Sequence, residues 1–229
     1  MTTVTCTPAA AVAESRRMDR RFLLIAALFA AAFDALGFAG LDRPLAEWVH
    51  SSGIESARFF VWGLAALDTI SGEGWWIWAI GWLAIVGGTL LLRSGQRERP
   101  GLALIVAGLV QFATLQTMIL GKDTFGRLRP FKVFEQGDWS HVWFVPGGDS
   151  FPSGHSSFYF GLLLPLAAAC PIRWLRWTLV AIPLFAIVAR IDMAKHFLSD
   201  VSTGALIAAI YALIAAWLAQ RWLPAPARA

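Results

Sequence analysis

Residues 190–200, RIDMAKHFLSD, put His196 and Asp200 four residues apart. On a helix that spacing makes them neighbours on one face. A carboxylate placed there accepts from one ring nitrogen, fixes the tautomer and leaves the other nitrogen free, the orienting arrangement of nucleophile–base systems. A second histidine, His155, follows Pro152, Ser153 and Gly154. Ser153 is a favoured N-cap residue, and a helix starting there leaves backbone N–H groups unpaired. Those groups and the helix dipole make an anion site. Gly154 lets a ligand approach the backbone, and His155 adds a group that can carry a proton near neutral pH. A third run, KDTFGRLRP, supplies Lys122 and, seven residues later, Arg129. On a continuous helix both would project from one side.

Each run alone has an ordinary reading: basic residues pairing with lipid headgroups, or a capped helix with an incidental histidine. Taken together they are more specific. Lys122, Arg129 and Arg190 are fixed cations, the helix start at Ser153 adds free N–H groups, and a histidine stands on either flank. That set suits a doubly charged anion such as a phosphate. No cluster of carboxylates or cysteines offers metal spacing, so charge stabilisation falls to the cations and no metal or cofactor is expected. Phosphoryl transfer asks mainly for positioning and charge neutralisation, which this set supplies.

The three runs must be carried by something, and the rest of the chain is apolar. Of 229 residues 57% are hydrophobic and only 15% charged, against roughly a quarter in soluble domains. The apolar residues come in long runs, so the expected fold class is all-α: a polytopic membrane protein with a six-helix bundle. The spans fall at about 22–40, 73–92, 101–121, 153–170, 174–190 and 197–219. The first run has the look of a signal peptide but is nearer the ~20 residues needed to cross, and is read as an uncleaved span. Residues 41–72 mix charges with Trp48 and Trp62 and read as an interfacial helix between spans one and two. Residues 1–21 form a basic tail, 22–220 one membrane domain and 221–229 a short C-terminal tail. Gly204, Ala208, Ala212 and Ala216 repeat at spacing four and form a small-residue ridge against which another helix packs.

The net charge of +4 does not point to nucleic acid, because the basic residues gather at the ends of apolar runs. With both termini cytoplasmic, eleven of the nineteen Lys and Arg lie inside. All three polar clusters then fall at the outer, periplasmic face of an inner membrane. Cys6 and Cys170 lie far apart without metal spacing and suggest no disulfide framework. Arg127 and Lys132 read as solvated loop charges, with contact to a second phosphate as the alternative. His141 and Asp149 read as surface loop residues, and Trp139, Trp143 and Phe144 as interfacial anchors. Asp34, inside span one, calls for a partner in the bundle.

In these motifs the chain resembles the type-2 phosphatidic acid phosphatase superfamily, whose pattern is Lys-x6-Arg-Pro, then Pro-Ser-Gly-His, then Ser-Arg-x5-His-x3-Asp. Here it reads Lys122 to Arg129-Pro130, Pro152-Ser153-Gly154-His155, and Ala189-Arg190 to His196 and Asp200. The departure is Ala189, where the family has serine. The resemblance implies that His196 attacks phosphorus to form a phosphohistidine and that Asp200 orients it. It implies His155 as general acid and then base, with Lys122, Arg129, Arg190, Ser153 and Gly154 gripping the phosphate oxygens. The expected substrate is a membrane lipid phosphate or diphosphate such as undecaprenyl diphosphate, phosphatidylglycerol phosphate or lipid A. A lipid phosphotransferase would use the same site. A non-catalytic lipid-binding or transport protein would need no nucleophile.

Overall fold

A computed structural model describes residues 18–73, 76–95 and 98–222, all of whose regular structure is helical. The expectations for Cys6, most of the basic tail and most of the C-terminal tail lie outside the described residues. Helix α1 (Arg20–Leu36) passes through a π-helical stretch, Gly37–Leu41, into α2 (Asp42–Ser51). Then come α3 (Arg58–Ser71), α4 (Ala79–Arg93), α5 (Glu98–Phe125), α6 (Pro130–Gln136), α7 (Gly154–Ala169), α8 (Arg173–Asp192) and α9 (Leu198–Trp222).

Four stretches are long and apolar enough to cross a membrane: Arg20–Ser51, Arg99–Gln136, Arg173–Asp192 and Leu198–Ala219. Two further apolar helices are shorter. α4 has 15 residues and α7 has 16, giving lengths of about 22–24 Å against a hydrocarbon core of about 30 Å. Where one interfacial helix was expected, residues 42–71 form two helices, α2 and α3.

Helix α7 is the hub. Nearly every residue from Ser156 to Ala169 is buried, and the helix packs against α5, α8 and α9. The expected small-residue ridge of α9 is enclosed: Ala208, Ala212 and Ala216 are buried with Leu23 and Ala27 of α1 and Leu164 and Ala168 of α7. Near the N-terminal end of α9 a Cβ on Gly204 would stand 2.9 Å from Ser156 Cβ and 3.1 Å from the Ser153 carbonyl oxygen. Glycine there lets the start of α9 press on the start of α7. Asp34 finds its partner on the same helix, accepting from Thr203 Oγ1 at 2.5 Å.

Candidate active site

The C-terminal ends of α5 and α8 and the N-terminal ends of α7 and α9 meet at one end of the bundle. The Ser153 backbone N–H donates to the Asp200 carbonyl at 3.0 Å, and Ser156 Oγ donates to the Val201 carbonyl at 2.5 Å. These bonds tie the segment bearing His155 to the segment bearing His196.

His196 does not share a helical face with Asp200 as its spacing suggested. It lies in the turn before α9, and Asp200 occupies the first turn of that helix. Asp200 folds back as a cap, accepting from the Phe197 N–H at 2.8 Å through Oδ2. His196 Nδ1 stands 3.6 Å from the same oxygen, too far for a direct hydrogen bond. Ser150 closes the gap: its Oγ donates to Asp200 Oδ2 at 2.6 Å and lies 3.4 Å from Nδ1. The carboxylate and the serine thus hold the Nδ1 edge and leave Nε2 for a substrate. Burial lowers the imidazole's pKa to about 3, against the opposing pull of Asp200, with Arg190 and Arg129 adding to the fall. His196 is therefore neutral at physiological pH, with a lone pair to offer.

A fully buried carboxylate needs a counter-charge, and Arg127 provides it. Its Nη1 donates to Asp200 Oδ1 at 2.5 Å and to Ser199 Oγ at 2.7 Å, and its Nη2 to Asp42 Oδ2 at 2.7 Å. Asp42 also accepts from the Ser199 N–H at 2.9 Å and from the Ser199 hydroxyl. The guanidinium lies 4.3 Å from the centroid of Trp143 and 4.1 Å from that of Phe197. Arg127 is thus no solvated loop charge and has no free fork for a second phosphate, and Trp143 is its stacking partner. The π-helical stretch after α1 brings Asp42 into this network: Gly37 has no room for a Cβ, which would lie 2.8 Å from both Asp42 Oδ1 and the Ser199 nitrogen.

The phosphate-binding candidates surround this core. Ser153 takes the N-cap position of α7 with extended backbone angles, but its hydroxyl makes no capping bond. Buried, that hydroxyl has no partner among the described residues, an arrangement that costs about 1–3 kcal/mol unless something is bound. Gly154 begins the helix, and Lys122 Nζ lies 3.8 Å from where a Cβ would stand, at ordinary contact distance. Lys122 and Arg129 do not share one helix. α5 ends at Phe125, Gly126 turns the chain at φ +48°, and Arg129 is extended ahead of α6. Arg129 makes a two-pronged ion pair with Asp149, Nε to Oδ1 at 2.8 Å and Nη2 to Oδ2 at 2.6 Å. Burial alone would raise the Asp149 carboxyl, but its bonds to Arg129 hold it below the usual range. Arg190 lies in the last turn of α8, and its buried Nε has no partner among the described residues. Ala189 is fully buried with Leu64, Leu115, Met118, Phe158 and Tyr159, so where the family serine would stand there is apolar packing.

His155 has partners that nothing in its motif announces. Its Nε2 lies 3.1 Å from Asp68 Oδ2 and its Nδ1 3.3 Å from Glu73 Oε1. Two carboxylates and an imidazole thus converge, contrary to the expectation that no such cluster exists, and their ligand atoms lie within 4.8 Å of one another. They could offer three ligands to a cation, but Lys122 and Arg190 act on the same Glu73 carboxylate and oppose one electrostatically. His141, by contrast, is exposed and stays with Asp138 and Ser140 in its loop. Asp42, Asp68, Glu73 and Ser150 are the site residues that sequence reasoning missed.

No curated protein and no solved structure matched the chain. Residues 100–224, more than half of its length, match the family model described as the PAP2 superfamily. That stretch contains all three motif runs, and the chain belongs to this superfamily, whose members are phosphatases.

Proposed function

We propose that this protein is an integral-membrane lipid phosphatase that hydrolyses a lipid phosphate or diphosphate at the outer face of the membrane, through a phosphohistidine at His196. The observation that carries the reading is the holding of His196. Its Nδ1 edge is held by Ser150 and Asp200, burial favours the neutral ring, and it sits beside a helix N-terminus with Arg190 and Arg129 near it. Nε2 attacks phosphorus as the bond to the leaving-group oxygen breaks, and His155 gives that oxygen a proton. Water then attacks the phosphohistidine while His155 takes up a proton. Lys122, Arg129 and Arg190, with the Ser153 hydroxyl and the free N–H groups of α7, hold the phosphate oxygens and neutralise charge as it develops. Arg129 must exchange Asp149 for a phosphate oxygen. These cations supply the charge that a metal would otherwise bring.

The bundle end that holds the site lies opposite the end bearing Arg20, Arg93 and Arg173, which supports an outward-facing site by the positive-inside rule. With α4 and α7 completing the crossings, the chain spans six times. A site at headgroup level suits a substrate that never leaves the bilayer, such as undecaprenyl diphosphate, phosphatidylglycerol phosphate or lipid A. The test is phosphate release from a panel of these lipids by the purified protein, with His196→Ala as control. Release that depends on His196 supports a hydrolase. Phosphate appearing only on an added lipid acceptor would make the protein a phosphotransferase, and binding without turnover would end the enzymatic reading.

A further inference from the structure

The carboxylates at His155 are not equivalent. Asp68 Oδ2 meets Nε2 at 3.1 Å, and Asp68 Oδ1 accepts from the Tyr159 hydroxyl at 2.7 Å. That hydroxyl lies 3.0 Å from Ser71 Oγ. Asp68 and Ser71 stand on the last turns of α3, and Tyr159 is four residues beyond His155 on α7. The Asp68 carboxylate of α3 is thus held by two side chains of α7, and Ser71 of α3 steadies one of them. Glu73 lies just past the end of α3 and approaches Nδ1 at 3.3 Å in an ion-pair contact. Among the described residues the other charged groups acting on Glu73 are Arg190 from α8 and Lys122 from α5. None of Asp68, Ser71 and Glu73 falls within the residues that match the family model.

We infer that Asp68 is the positioning residue of the proton donor: it anchors His155 by Nε2, so that Nδ1 is the nitrogen that exchanges protons with the reacting groups. This rests on the proposed phosphatase reading. An imidazole has two nitrogens, and the one tied to a fixed carboxylate cannot turn to the substrate. Glu73 makes the looser contact, the one a leaving-group oxygen can replace. In the first half-reaction the Nε2–P bond of His196 forms, the P–O bond to the leaving group breaks, and the proton on His155 Nδ1 passes to that oxygen. In the second, the oxygen of water bonds to phosphorus, the N–P bond breaks, and a water proton returns to Nδ1. Asp68 and Glu73 end with the protons they began with. Asp68 thus does for His155 what Ser150 and Asp200 do for His196. Helix α3 packs on α8 and delivers this carboxylate from outside residues 100–224, which match the family model.

The test compares leaving groups in the full-length protein in detergent. kcat/KM reports the step in which the leaving group departs. A lipid phosphate releases a poor leaving group that needs the proton, whereas p-nitrophenyl phosphate releases one that departs without it. Asp68→Asn keeps the shape and removes the charge. It should lower kcat/KM for the lipid phosphate by about 100-fold, within the range of a general acid's contribution, and for p-nitrophenyl phosphate by less than about fivefold. Glu73→Gln should show the same bias with a smaller loss. Equal losses on both substrates, or no loss on either, would overturn the inference. A thermal-unfolding midpoint unchanged in Asp68→Asn confirms that the comparison is made on folded protein; should it fall, the ratio of the two losses still decides. His196→Ala must be inactive on both substrates. If it is not, the phosphatase reading itself fails, whereas an inactive His196→Ala with an unbiased Asp68→Asn sinks only the role of Asp68.

Discussion

His196 and His155 stand at the same end of the bundle and are held in different ways. His196 is 2% exposed and its carboxylate Asp200 is fully buried. Asp200 accepts from Ser150, Arg127 and the Phe197 N–H, and Arg127 is itself locked by Asp42 and two aromatic rings. The His155 side chain is 12% exposed, beside Asp68 at 22% and Glu73 at 17%. A nucleophile needs one unchanging position and an unprotonated nitrogen, and a buried, densely hydrogen-bonded setting gives both. A group that must pick up and release a proton in every cycle needs a route to water, and the looser clasp leaves one. The two regions divide the work between rigidity and exchange.

That contrast can be broken by experiment. The largest effect is expected from His196→Ala, which should reduce hydrolysis of a lipid phosphate by about 10³-fold or more in a phosphate-release assay. Next is Arg127→Ala, which leaves Asp42 and Asp200 buried without their partner. It should destabilise the protein by about 3–5 kcal/mol, read as a fall in unfolding midpoint in detergent, whereas Asp68→Asn should leave that midpoint unchanged.

A third effect concerns pH. The buried His196 takes a proton only near pH 3, while in the unfolded chain it does so near pH 6.5. Between those values the unfolded state binds more protons, so stability rises with pH there. The contribution is complete above about pH 6.5 and is lost as pH falls through that value towards 3. The gap in midpoint between wild type and His196→Gln should therefore change across pH 6.5–4 and be constant above 7. Smaller still, Asp149→Asn frees Arg129 from its internal competitor and should lower the inhibition constant of inorganic phosphate by a few-fold. Ala189→Ser adds a hydroxyl to apolar packing and should alter the rate by less than about tenfold. EDTA should leave the rate unchanged, since the arginines and lysine carry the charge.

The candidate site was legible in the sequence wherever its residues sit in short local runs. Lys122, Arg129, His155, Arg190, His196 and Asp200 could be named as candidates because phosphate and proton chemistry call for those residue types. The residues that hold them were not legible, because their contacts are long-range. Asp68 reaches His155 across 87 positions, and Asp42 reaches Arg127 across 85. Both lie in a segment whose mixed charges resemble any interfacial helix. Arg127 was misread for the same reason: one arginine among several in a basic loop gives no sign of burial. The apolar runs located the helices well, as with 197–219 against the observed Leu198–Trp222. Periodicity could not foresee where a helix breaks. Gly126 ends α5 between Lys122 and Arg129, and α9 starts after His196, so two spacings that looked helical are made by turns.

The central claim is that His196 becomes phosphorylated, and trapping that adduct tests it most directly. Rapid acid-free quenching of the protein with a lipid phosphate, followed by peptide mapping, should find an acid-labile, base-stable phosphoryl group on the peptide containing His196, absent from His196→Ala. A phosphoryl group on any other residue, or lipid-phosphate turnover undiminished in His196→Ala, would contradict the account.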